Sequence, residues 1–351
     1  MRTALRTALL AGVALASPAA AQQTIGGCQI LPTSNVWNAP VDGLPVAANS
    51  NAVIQYINAH GGDYLHPDFG AGLWNGAPIG MPWSSVADNQ AMVPIDFATY
   101  GWPDESDPGP YPIPPGAPIE GGSASQGDRH VLTIRQGSCI LYELYYSWPH
   151  GTGPSGGPSC NEPGGWCGAS GAVYDLASNA LRPDGWTSAD AAGLPIFPGL
   201  ARWGEVDLGE IRHALRFTVD VTRETWVWPA RHQAGSTMDA NAPPMGLRLR
   251  LKASYDISGF SPQVQVLLRA LKKYGMMLAD NGSNWFISGI PSPNWIDDDL
   301  VPELHSVPGS QFEVVDLSSI FGGDPDSGES THLFSDGFDG GGTDYWSAAV
   351  P

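Results

Sequence analysis

Residues 130–146 read HVLTIRQGSCILYELYY. VLTI and CILYELYY are rich in β-branched and aromatic residues, and RQGS between them is a glycine-containing link of the length that closes a β-hairpin. Cys139, Leu141, Glu143 and Tyr145 share one face, and Ile140, Tyr142, Leu144 and Tyr146 the other. Outward from this hairpin, HALRFTV (213–219), TWVWPA (225–230), LRLRLKA (247–253) and FEVVD (312–316) read as further strands. Two more short strands flank a turn at Asp280–Asn281–Gly282. In LRLRLKA, Leu247, Leu249 and Leu251 are expected to point inward, and Arg248, Arg250 and Lys252 to face solvent. Two helices are expected. The first covers 51–60, capped by Ser50, with Val53, Ile54 and Ile57 as its apolar stripe. The second opens at Ser261–Pro262, carries Val264, Leu267, Leu268, Leu271 and Tyr274, and closes at Lys272, Lys273 and Gly275. Residues 61–127 read mostly as loop. The 44 glycines and 32 prolines favour turns over a helical bundle, and no βαβ rhythm is present. The expected fold is mainly β: a β-sandwich or jelly-roll-like single domain with two peripheral helices. A β-barrel-like α+β arrangement is the alternative.

The N-terminus reads MRTALRTALLAGVALASPAAAQQ. Arg2 and Arg6 precede an apolar run from Ala8 to Ala16, and Ala19 and Ala21 supply small residues for cleavage. This is the pattern of a signal peptide, residues 1–21, and the run is well short of the roughly 20 residues a membrane span needs. Without its two arginines the chain carries 14 basic and 35 acidic residues, a net charge of −21. Such a charge disfavours nucleic acid and anionic lipid as partners. A secreted or cell-surface location follows, with no transmembrane segment. Cys28, Cys139, Cys160 and Cys167 allow three pairings in an oxidising compartment. The turn-rich loop CNEPGGWC suggests Cys160–Cys167, which leaves Cys28–Cys139. The expected domain covers 22–321, followed by a Gly/Asp-rich tether and tail over 322–351.

The stretch from Asp104 to Asp316 contains DESDPGPYPIP, GDRHVL, SNALRPDGWTSADAAGLPI, IRHALRFTV, WPARH, PPMGLRLRLKASYDI and LADNGSNWFISG. It resembles a family of exported bacterial proteins with no assigned activity, which implies an exported β-rich domain and no catalytic residue. HLFSDGFDGGGTDYWSAAVP, residues 332–351, resembles the short tails of unrelated bacterial exported proteins, a resemblance that implies a secretion address or attachment to the cell surface.

Candidate chemistry lies in three places. EVDLGE, 205–210, resembles the E-x-D-x-x-E strand of laminarinase-like glycosidases, with Glu205 and Asp207 on one strand face; a solvated turn is the alternative. A second group is histidine-based: His130 follows Asp128–Arg129, His213 follows Arg212, and His232 follows Arg231. Arginine beside histidine favours a neutral imidazole unless an acid compensates, as Asp128 or Glu120 could. A neutral imidazole beside arginine suits proton abstraction from an acidic sugar, and equally simple binding of an acidic glycan. The catalytic candidates are therefore Asp128, His130, Arg231 and His232. Glu120, Trp102, Trp186 and His213 are candidates for substrate binding, although strand parity also fits His213 to the core. The third feature is a set of loop tryptophans that could receive sugar rings. No cofactor motif is present. Calcium is a candidate structural ion at Asp104, Glu105 and Asp107 or at Asp297–Asp299, although neither cluster has EF-hand spacing. Extracellular carbohydrate is the expected partner, met by a hydrolase or lyase; a non-catalytic surface, adhesion or glycan-binding protein is the alternative.

Overall fold

A computed structural model describes residues 24–331; the expected signal peptide and the tail from His332 lie outside the described residues. Its two principal sheets comprise, in chain order, β1 (His66–Asp68), β2 (Trp83–Val86), β3 (Val131–Arg135), β4 (Ile140–Tyr145), β5 (Ser170–Asp175), β6 (Leu215–Val219), β7 (Arg248–Leu251), β8 (Met276–Asn281), β9 (Phe286–Ser288) and β10 (Phe312–Val314). The helices are α1 (Ser50–Ala59), α2 (Trp203–Asp207), α3 (Pro262–Lys273) and α4 (Asp297–Leu304). One sheet runs β10-β7-β8-β6-β9-β1 and the other β5-β4-β3-β2; both are open. The fold is mainly β. The pairs β6/β8, β9/β1 and β2/β3 are parallel, so the sheets are mixed in direction, which short-range patterning does not reveal.

The hairpin forms as its spacing requires, with β3 antiparallel to β4 and Thr133 opposite Tyr142. Leu141 and Glu143 turn into the main core, shared with β6, β7 and β8. Leu144 on the other face joins a smaller core with Phe97, Tyr111, Ile113 and Val131. The α3 stripe is fully buried at Val264, Leu267, Leu268 and Leu271, each side chain contributing about 1.5–3 kcal/mol of burial. Ser261 precedes α3, and its backbone N–H and hydroxyl both donate to Glu303 of α4. α1 begins at Ser50 itself; the Ser50 hydroxyl accepts from the Val314 N–H, fastening the helix to β10. Disulfides join Cys28 to Cys139 and Cys160 to Cys167, as expected. Among the described residues no helix is long and apolar enough to cross a membrane.

Four expectations change. Arg248 and Arg250 are buried, because residues 36–44 wrap the face of β7 expected to meet water; their carbonyls receive both guanidinium groups. TWVWPA is not a strand: Pro229 has no N–H to offer a ladder, and only Trp226 forms a bridge, to Met245. The two strands expected around Asp280–Asn281–Gly282 form, but the turn lies later: Asp280 and Asn281 belong to β8, and β8 and β9 flank β6 on its two sides. Residues 322–331 are not a free tether. The Gly328 carbonyl accepts from Val36 N–H at 2.8 Å, the Ser327 carbonyl from the Trp228 indole at 2.8 Å, and Asp326 pairs with Arg231 at 2.6 Å.

Candidate active site

β6 alternates Leu215, Phe217 and Val219 with Arg216 and Thr218, so one apolar strand carries a guanidinium. Arg216 is buried and makes a two-pronged bond to Asp190, 2.7 Å on each arm. It also donates to the Ser288 hydroxyl at the end of β9 (2.6 Å) and to Asp280 of β8 (3.2 Å). Asp190 comes from the buried loop 187–194, where its N–H donates to the Ser188 hydroxyl. A fork geometry satisfied by two carboxylates and a hydroxyl lets a charge persist away from water. Burial alone would lower the Arg216 pKa, but Asp190 overrides it and the net shift is upward. Asp280 moves well up, first because it loses water, then because the Asp190 charge stands beside it and hydrogen-bonds to it; Arg216 only partly opposes this. The Asp280 side chain is 23% exposed, whereas that of Asp190 is wholly buried. A proton shared by this pair therefore reaches solvent through Asp280.

His130, just ahead of β3, supplies the adjoining wall. Its Nδ1 lies 2.6 Å from Glu120 and its Nε2 3.0 Å from the Ala189 carbonyl, so an imidazolium can donate at both ends. Burial pulls its pKa down, but the charge and hydrogen bond of Glu120, with help from Asp128, carry it to about 9. The exception to a neutral His130 applies: Glu120 is the compensating acid, and the carboxylate, not Arg129, decides its charge. Arg129 turns away. With φ at +53° it sends its guanidinium back to the carbonyls of Ser123, Ser125 and Ser147, 3.7 Å over the Trp148 ring. It thus holds the loop between Glu120 and Asp128 in place. Asp128 is exposed at the loop end. Tyr145 has its ring 5.5 Å from that of His130, and its pKa is pushed up to about 12 by burial, then by the charges of Asp128 and Asp280. Asp68, at the end of β1, has its pKa raised first by loss of water around its carboxyl and then by Glu120, against Arg216, with Asp128 adding to the rise. Asp68, Glu120, Asp128, Asp190 and Asp280 thus form one acidic constellation with Arg216 and His130 as its fixed cations.

The structure brings Asp128, His130 and Glu120 together but not Arg231 and His232. Arg231 is buried against Asp326, the Pro325 carbonyl and, at 3.6 Å, Asp184. His232 reaches the Ala191 carbonyl at 3.0 Å and lies 3.9 Å from Glu105. Both sit behind the 187–194 loop, whose Ala192 carbonyl accepts their N–H groups. EVDLGE is no strand: Glu205 and Asp207 fall in α2, and Glu205 is buried between Arg202 (2.8 Å) and His213 (3.1 Å). His213 is a buried core histidine, as its strand parity allowed, and its pKa is lowered by burial and by Arg202. Trp102 is exposed, and Trp186 lies beside Arg182, the guanidinium carbon 5.5 Å from its ring centre. Asp107 pairs with Arg182, Glu105 accepts from Thr187 N–H, and Asp297 accepts from Ala71 and Gly72 N–H. Among the described residues no three His, Cys, Asp or Glu side chains converge to hold a metal ion.

Sequence reasoning missed Asp68, Tyr145, Asp190, Arg216 and Asp280. The signal available was a charge inside an otherwise apolar run, as in ALRFTV and MMLAD. Comparison with known proteins leaves the geometry to speak alone: no family model, curated protein or solved structure matches this chain.

Proposed function

We propose that this chain is an exported enzyme that hydrolyses a neutral extracellular polysaccharide at the acidic constellation. The observation that carries the reading is the Asp190–Asp280 pair, clamped on Arg216 and opening to solvent through Asp280. A protonated carboxyl group held beside a carboxylate is recurrent equipment of glycoside hydrolysis. Asp280 donates its proton to the glycosidic oxygen as the C–O bond breaks. A water molecule attacks the anomeric carbon, and its proton passes to Asp128. Solvent returns the proton to Asp280. His130 is held as a cation by Glu120 and positions the wall rather than acting as base. Hydrolysis is favoured over lyase chemistry because the Arg216 fork is already filled by carboxylates, and a uronate would face five carboxyl groups.

Incubation of the mature protein with neutral glucans and xylans, in parallel with polygalacturonate, tests the reading. Reducing ends are expected from a neutral glycan, with no absorbance from new double bonds. Asp280→Asn should cut turnover by about 10²–10⁴-fold. Its melting temperature should change little, since the protonated acid and the amide are both neutral and of similar shape. Unsaturated products, or unaltered turnover in Asp280→Asn, would refute it. A second reading, non-catalytic glycan binding, is favoured by the bare rings of Trp74 (72% exposed) and Trp102 (51% exposed). It predicts retention on glycan columns, lost in Trp74→Ala or Trp102→Ala, without product.

A further inference from the structure

A cavity of about 410 Å³ lies at the other end of the six-stranded sheet, beside β7 and β10. Its wall is mostly aliphatic and aromatic, with Val53 of α1, Trp228, Ala242, Leu247, Val314 and Phe321, and Arg248 of β7 lines it too. Four separate stretches of chain converge on it, and the tryptophan is fixed there. The Trp228 indole donates to the Ser327 carbonyl, and its ring meets Phe321 edge-on at 5.3 Å. Protein interiors hold few voids larger than a water molecule, and 410 Å³ falls in the range of small-molecule sites. Val227 and Phe321 at its mouth are large apolar residues left exposed.

The mouth also carries charge. Arg223 lines it, and this guanidinium has no carboxylate within ion-pairing distance among the described residues; it reaches the Ala240 carbonyl only at a long 3.5 Å. Asp316 lines the mouth as well; its carboxylate accepts from the Ser318 N–H at 2.9 Å and stays ionised, but it makes no ion pair with Arg223. An apolar chamber with one uncommitted cation at its opening complements a molecule with an apolar body and an anionic head.

We propose that this cavity binds a single-chain amphiphile whose anionic head, a carboxylate or a phosphate monoester, pairs with Arg223. At about 30 Å³ per small group the chamber accommodates on the order of ten methylenes. The site is separate from the acidic constellation and does not depend on the reading given to it.

The test titrates the full mature chain with decanoate, decyl phosphate, decanol and decyltrimethylammonium by calorimetry, with tryptophan fluorescence as a second readout. At least one of the two anions should bind about tenfold or more tightly than decanol and decyltrimethylammonium; the tighter anion identifies the head group. Arg223→Gln should remove that preference and leave decanol affinity unchanged. Ala240→Trp, at an exposed lining position, should weaken all four by about tenfold or more while preserving the melting temperature. Absence of binding by both anions overturns the proposal, as does equal affinity for the cationic amphiphile or an unaltered preference in Arg223→Gln. Concentration-dependent self-association that Ala240→Trp abolishes also overturns it, by assigning the cavity to a second copy of the chain.

Discussion

Arg216 and Arg248 are buried guanidinium groups on strands of one sheet, two positions apart in the strand order β7-β8-β6. Arg216 is met by Asp190 and Asp280, and its pKa rises. Arg248 meets no carboxylate. Its Nε donates to the carbonyl of Tyr274, which caps the C-terminal end of α3, and its Nη2 to Val36 and Ala39; Nη1 has no protein partner. Burial therefore pulls the Arg248 pKa down unopposed. Carbonyl dipoles at a helix end hold one charge, and full carboxylates hold the other. The first arrangement ties a helix to a strand. The second assembles a proton-bearing pair that solvent can reach, which is why the chemistry is assigned there.

The largest expected effect follows from breaking the carboxylate-held cation. Arg216→Met leaves Asp190 and Asp280 facing each other without compensation and should cost about 3–5 kcal/mol. Adding Asp190→Asn and Asp280→Asn should restore much of that loss. Urea unfolding of the three proteins measures it, and a cost under about 1 kcal/mol for the single change would break the comparison.

Next comes pH, which acts on the same side. The His130 pKa rises from 6.5 to about 9, so the folded state holds that proton more tightly. Its contribution, at most about 3 kcal/mol, is complete below pH 6.5 and is lost as pH rises through about 9. Glu143, buried and raised from 4.5 to about 7, acts in the same direction lower down: its contribution is complete below pH 4.5 and gone above about 7. Calorimetric melting temperatures should fall from pH 5 to pH 9, and His130→Gln should flatten the upper half of that fall. Stability rising over this window would contradict the charged His130.

The smallest effect is expected at Arg248. Arg248→Met strands the Tyr274 carbonyl but removes an uncompensated charge, so a net loss of about 1–2 kcal/mol is expected. The same unfolding series sharpens the comparison: Arg248→Met should cost less than Arg216→Met. The reverse order would show that carbonyls hold the cation better than carboxylates do.

Much of the framework was legible because its causes are local. The hairpin over 131–145, the α3 stripe and the turn-rich Cys160–Cys167 loop follow from periods and turn residues within a dozen positions. Glu120, Asp128 and His130 were legible as chemistry because they cluster within eleven residues of chain. Arg231 and His232 carried the same kind of signal and went elsewhere. A basic pair at a strand-like end says nothing about which carboxylate will meet it, and theirs were Asp326 and Glu105.

The sequence alone therefore determined a mainly β chain with its two longest helices and the short Cys160–Cys167 bridge, because hydrophobic period and turn chemistry are properties of neighbouring residues; Cys28–Cys139, 111 residues apart, followed only by elimination. Tertiary structure alone decided that Arg248 faces inward, that β6 lies between β8 and β9, and that Asp190, Arg216 and Asp280 meet. Alternation assigns residues to two faces of a strand but does not say whether either face meets water. Only the packing of distant segments excludes water from both, and once water is excluded each buried charge requires a partner from far along the chain.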